Sequence, residues 1–152
     1  MKSELISKLI ARTGKFSGRG VNHEGQAFEG ELALTPLLRG KGIHLSFKAT
    51  GDGGRIFHEE TTTIAPNHMG EIGLYNLNTN MPGLTHHRLI EESAKKAIFA
   101  FGDRADSKSF REEISLELHL DGSIGYKYAW GLPGGEFADR SGALMAQVEE
   151  KC

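Results

Sequence analysis

The residues best suited to chemistry in this 152-residue chain fall in three short stretches. In "IFHEETTTI", residues 56–64, His58, Glu60 and Thr62 stand at alternate positions. In "IGLYNLN", residues 72–78, Asn76 and Asn78 do the same. In "LTHHRLI", residues 84–90, His86, His87 and Arg88 are adjacent. Alternate residues of a strand share a face, so each stretch can gather polar groups on one side. A guanidinium beside an imidazole can hold a carboxylate through paired hydrogen bonds. A histidine beside a carboxylate, as His86 and Glu60 could be, can serve as a general base.

The apolar neighbours indicate which way these groups face. Ile56 and Ile64 bracket the first set, Ile72 and Leu74 lead into the second, and Leu84 and Ile90 bracket His86 and Arg88. With those apolar residues inward, His58, Glu60, Asn76, Asn78, His86 and Arg88 form one internal polar wall. Phe57 and Ala65 support the opposite phase for the first stretch, and Leu89 for the third; a single bulge would exchange the faces. The facing wall is apolar and aromatic: Phe47, Phe99, Phe101, Leu116, Leu118, Tyr126, Tyr128 and Trp130. Together they describe a pocket for an amphiphile, with Arg88 and His86 fixing its head and the rings lining its body. The plainer alternatives are a buried Glu60–Arg88 ion pair that fixes register, asparagines that satisfy rim backbone, and an aromatic stripe that is simply core.

The elements that must position these residues are short. Residues 3–12 predict a helix with the apolar stripe Leu5, Ile6, Leu9 and Ile10, capped by Ser3 and stopped at Gly14. Such a helix needs a surface to cover, and could gate one end of the fold. Beyond Gly14 the period becomes two. Ile43, Leu45, Phe47 and Ala49 share a face, as do Ile114, Leu116, Leu118 and Leu120, and Ile124, Tyr126, Tyr128 and Trp130. Turn signals recur roughly every 10–16 residues, which predicts about ten strands joined as hairpins. Asp121-Gly122 suits a type I′ turn. A sheet that long closes on itself, because open edges invite aggregation. The expected fold is therefore all-β: an up-and-down antiparallel barrel over residues 15–148, in a single domain spanning 1–152. A barrel of that strand number is wide enough to leave a cavity.

Composition narrows the function. Net charge is -2 and the basic residues are scattered, so no nucleic-acid partner is expected. The one cysteine, Cys152, allows neither an internal disulfide nor a four-cysteine zinc site. His86 and His87 are neighbours facing opposite ways, so no metal site is expected there. The N-terminus lacks a signal-peptide h-region and no stretch reads as a membrane span, so the expected location is cytoplasmic. There is no nucleophile elbow, H-E-x-x-H or phosphate loop, which sets binding ahead of catalysis. The oligomeric state stays open between monomer and homodimer.

"GKFSGRG", residues 14–20, has the form G-x-F-x-G-x-G. It resembles the G-x-W opening of the calycin superfamily, which includes lipocalins and fatty-acid-binding proteins. With Gly18 and Gly20 it is closest to the opening of nitrobindin-like barrels. The resemblance implies a small barrel that binds a hydrophobic or amphiphilic molecule non-covalently, such as a fatty acid or another carboxylate-bearing ligand. Phe16 stands where those families have tryptophan, and Arg140 is the candidate for the arginine that packs on it. Nitrobindin-like proteins hold ferric haem through a histidine near the C-terminus, and no histidine follows His119 here. The leading expectation is thus no cofactor. The alternative is a haem-binding barrel or a small barrel enzyme using an internal His/Glu/Arg cluster.

Overall fold

Period-two alternation is realised in ten strands. The computed structural model describes residues 4–149, so the expected cap Ser3 and the lone Cys152 lie outside the described residues. Helix α1 (Glu4–Ile10) precedes β1 (Gly14–Val21), β2 (Ala27–Leu37), β3 (Gly42–Thr50), β4 (Ile56–Pro66) and β5 (Ile72–Asn78). Then come β6 (Thr85–Glu92), β7 (Lys96–Phe101), β8 (Arg111–Leu118), β9 (Ile124–Gly131) and β10 (Ala138–Gln147). Each strand pairs antiparallel with its neighbour in sequence, and β10 returns to β1, which closes the barrel. The all-β up-and-down barrel expected from the sequence is the fold observed.

Closure depends on the glycines of the opening motif. A Cβ on Gly18 would meet the backbone of Leu144 and Met145, and one on Gly20 would meet the Phe28 ring and Gly142 O. Only glycine lets β1 lie this close to β10. Phe16, by contrast, is buried in the core. Arg140 does not pack on it; its guanidinium stacks on the Trp130 ring at 4.7 Å instead.

The two ends of the barrel differ. α1 is shorter than the expected 3–12 and buries Leu5, Ile6 and Leu9 against the barrel. Arg12 donates to His119 O at 2.8 Å and Ser123 O at 3.3 Å, and Lys8 reaches Ser93 O at 3.4 Å. The helix therefore covers the end where the β2–β3, β4–β5, β6–β7 and β8–β9 turns emerge. Three fully buried aliphatic side chains stabilise this seat by about 1.5–3 kcal/mol each. Below it the interior is filled by Leu34, Ile43, Leu45, Ile64, Leu74, Phe99, Ile114, Leu116 and Ile124.

Two turns at this end use a left-handed backbone. At 119–122 only Gly122 takes a left-handed backbone (φ 92°), so the hairpin is not type I′. At the β2–β3 tip, Leu38 (φ 45°), Arg39 (φ 59°) and Gly40 (φ 86°) form one left-handed turn, and two of the three carry side chains.

No helix among the described residues is long and apolar enough to cross a membrane.

Candidate functional site

A buried carboxylate sits in the middle of the barrel. Glu60 faces inward from β4 with Thr62, and Asn76 joins them from the paired position on β5. Glu60 Oε1 accepts from Tyr128 Oη at 2.6 Å and lies 3.0 Å from His58 Nε2. Oε2 accepts from Thr62 Oγ1 at 2.6 Å, Asn76 Nδ2 at 2.7 Å and Tyr126 Oη at 2.7 Å. Burial alone would push the Glu60 carboxyl up, yet donation from His58, Thr62 and Tyr128 holds it below its ordinary value. Burial, and after it the Glu60 charge, drive both the Tyr126 and Tyr128 phenols well above theirs. Glu60 is thus an anion whose two oxygens are fully used, and both phenols remain donors.

The network continues upward. Asn78 Nδ2 donates to Asn76 Oδ1 at 2.5 Å, and Asn80 Nδ2 meets His58 Nδ1 at 2.8 Å. With Asn80 donating, the imidazole proton sits on Nε2 and points at Glu60.

Above this floor the barrel is hollow. A cavity of about 540 Å³ opens at the end away from α1. Its polar lining includes His58, Asn78, Asn80 and Glu112; its apolar lining includes Phe28, Phe47, Phe57, Tyr126, Tyr128 and Trp130. Phe47 meets Tyr126 edge-on at 5.1 Å, and His58 meets Tyr128 at 5.3 Å. Arg111, on the outer side of β8, donates to Leu132 O at 2.9 Å and Gly135 O at 2.8 Å. It thereby ties down the β9–β10 loop, whose Leu132 is part of the mouth.

The expected site residues therefore divide. His58, Asn78, Phe47, Tyr126, Tyr128 and Trp130 line the cavity, with Glu60 and Asn76 forming the network beneath. Phe99 belongs to the filled half, and Phe101 packs on His87 at 5.8 Å and Phe110 at 6.0 Å, outside the lining. His86 and Arg88 face outward. His86 stacks on Tyr75 at 4.7 Å, and Arg88 donates to Gly102 O at 3.2 Å. Neither can fix a ligand head in the cavity, and no Glu60–Arg88 pair or His86–Glu60 dyad forms. The phase of β6 is reversed because its supposed apolar brackets are outside: Leu84 precedes the strand and is 69% exposed, and Ile90 is 50% exposed at a bulge. One residue of offset turns every side chain to the other face.

The inward histidine is instead His87, fully buried, with Nε2 2.8 Å from Glu112 Oε1. Sequence reading missed both partners. Glu112 was legible, since it precedes Ile114 by two and so shares the inward face of β8. His87 was not, since its only signal was the uncertain phase.

Haem would need a histidine nitrogen free to face the cavity. His58 has both ring nitrogens engaged and His87 lies outside the lining, whereas His23 lines the mouth of the cavity, half-exposed beside Glu24 and edge-on to Trp130 at 5.7 Å. Among the described residues no three His, Cys, Asp or Glu side chains are grouped to hold a metal ion.

No protein-family model matches the chain, and no curated protein matches it. Among solved structures it is similar to Rv2717c from M. tuberculosis, with 13% identity and a TM-score of 0.72, over 98% of this chain and 100% of that one. A de novo designed fluorescence-activating β-barrel is 14% identical with a TM-score of 0.46, over 90% of this chain and 93% of that one. The likeness to Rv2717c is one of fold: this chain has the architecture of a small closed barrel, here half filled and half hollow.

Proposed function

We propose that the protein binds a small hydrophobic or amphiphilic molecule non-covalently in the open half of the barrel. The observation that carries this reading is the cavity of about 540 Å³, walled by Phe28, Phe47, Tyr126, Tyr128 and Trp130 above a rigid polar floor. A volume of that size, with aromatic walls and polar groups placed among them, is the usual form of a small-molecule site. The rings offer apolar area at little entropic cost, and the hydrogen-bonded floor keeps the pocket from collapsing. A carboxylate head is not part of the proposal, because Arg88 and His86 lie outside the barrel.

Native mass spectrometry of the purified protein, with a denatured control, tests it. The expected result is an added mass in the native spectrum alone, reduced by Phe47→Ala and unchanged by Arg88→Ala. A protein that carries no guest, and whose Trp130 fluorescence does not respond to any of a panel of apolar probes, would rule the reading out.

A further inference from the structure

The cavity carries one anionic group that the fold leaves incomplete. Glu112 is only 6% exposed and lines the cavity wall. Its Oε1 is taken by His87 at 2.8 Å, whereas Oε2 takes no hydrogen bond among the described residues. His87 Nδ1 is buried without a partner. A proton there would be stranded, so the imidazole proton belongs on Nε2, donating to Glu112. Glu112 Oε1 is thereby the acceptor for His87, and Oε2 is left open. Glu60 cannot share the task, since its oxygens are already filled by His58, Thr62, Asn76, Tyr126 and Tyr128. Among the described lining residues, Arg55 alone carries a permanent positive charge. It is exposed at the mouth, over the Phe57 ring at 5.8 Å.

Two nearly buried carboxylates disfavour a second anion, since the buried Arg111 lies outside the lining on Leu132 O and Gly135 O, and Glu112 Oε2 stays open toward the cavity. Aromatic walls favour a cation over an anion as well. Resting on the binding reading above, we infer that the ligand is a cationic amphiphile whose ammonium donates to Glu112 Oε2. Its apolar body lies against Phe47, Tyr126 and Trp130.

Calorimetric titration with decylamine, decanol and decanoate at neutral pH tests this, because the three share a tail and differ in the head. Decylamine is expected to bind about tenfold or more tightly than decanol, with decanoate weakest. Glu112→Gln should bring decylamine down to the level of decanol and leave decanol unchanged. Decanoate equal to or tighter than decylamine overturns the head-group assignment and leaves the cavity reading standing. So does a folded Glu112→Gln that keeps the full preference for the amine. If none of the three binds, the assignment falls, and the cavity reading is decided by native mass spectrometry and the panel of apolar probes. Should Glu112→Gln not fold, the wild-type ranking decides together with its salt dependence: added salt must weaken decylamine and spare decanol, and an amine preference indifferent to salt overturns the assignment.

Discussion

Tyr128 Oη donates to Glu60 Oε1 at 2.6 Å, joining β9 to β4 across the interior between residues 68 apart in the chain. Tyr126 makes the matching bond to Oε2 at 2.7 Å. The tyrosine stripe is therefore both lining and clamp. The rings face the cavity, while the hydroxyls are committed to the carboxylate beneath.

Because every partner of Glu60 is a donor, Glu60→Gln places an amide N–H₂ against donors. It should destabilise the protein by about 3 kcal/mol, and Tyr128→Phe by about 1.5–3 kcal/mol. Urea unfolding of both variants checks this. A Glu60→Gln loss below about 1 kcal/mol would mean the network is not structural.

The same groups set a pH window. Glu60 is held below its ordinary value in the fold, so its stabilisation is present above the unfolded carboxylate range and is lost as pH falls through the folded value. Tyr126 and Tyr128 are held above theirs, so their contribution is present below about pH 10 and declines as pH rises beyond it. Urea midpoints should be flat between about pH 6 and 9 and fall on both sides. A midpoint that holds steady down to about pH 3 would contradict the assignment of Glu60.

Gly18→Ala tests the closing strand. The new Cβ would press on Leu144 O and lie 2.9 Å from Met145 Cα, and backbone cannot step aside cheaply. The expected cost is about 1–3 kcal/mol, read as a lowered Tm. Gly25→Ala makes a useful contrast: its Cβ meets nothing within 4 Å, and its penalty comes from φ 76° alone.

The β2–β3 tip should improve on substitution. Leu38 is 79% exposed and held at φ 45°, with Arg39 at φ 59°. Leu38→Asn with Arg39→Gly supplies residues that accept a left-handed backbone, and should raise stability by about 1 kcal/mol. The tip lies at the helix end, so ligand binding should not change. An unchanged or lowered urea midpoint would refute the strain argument.

The barrel itself was legible in the sequence. Period-two stretches such as Ile43–Leu45–Phe47–Ala49, punctuated by turns, imply a long antiparallel meander, and closure follows from the cost of open edges. The alternation in β4 and β5 also placed His58, Glu60, Asn76 and Asn78 inward, because Ile64 and Leu74, buried in phase with them, fix which face is inside, although the other bracket, Ile56, is 51% exposed. In β6 that anchor was missing. Leu84 and Ile90 are exposed, a bulge follows Leu89, and only pairing with β5 and β7 decides that His87 turns in while His86 and Arg88 turn out. The hollow half, the seat of the Tyr126 and Tyr128 hydroxyls on Glu60, and the open oxygen of Glu112 were likewise settled by tertiary structure alone. A strand's own pattern reports which face is buried, but what lies across the barrel depends on closure, which sets side by side residues that the chain keeps dozens of positions apart.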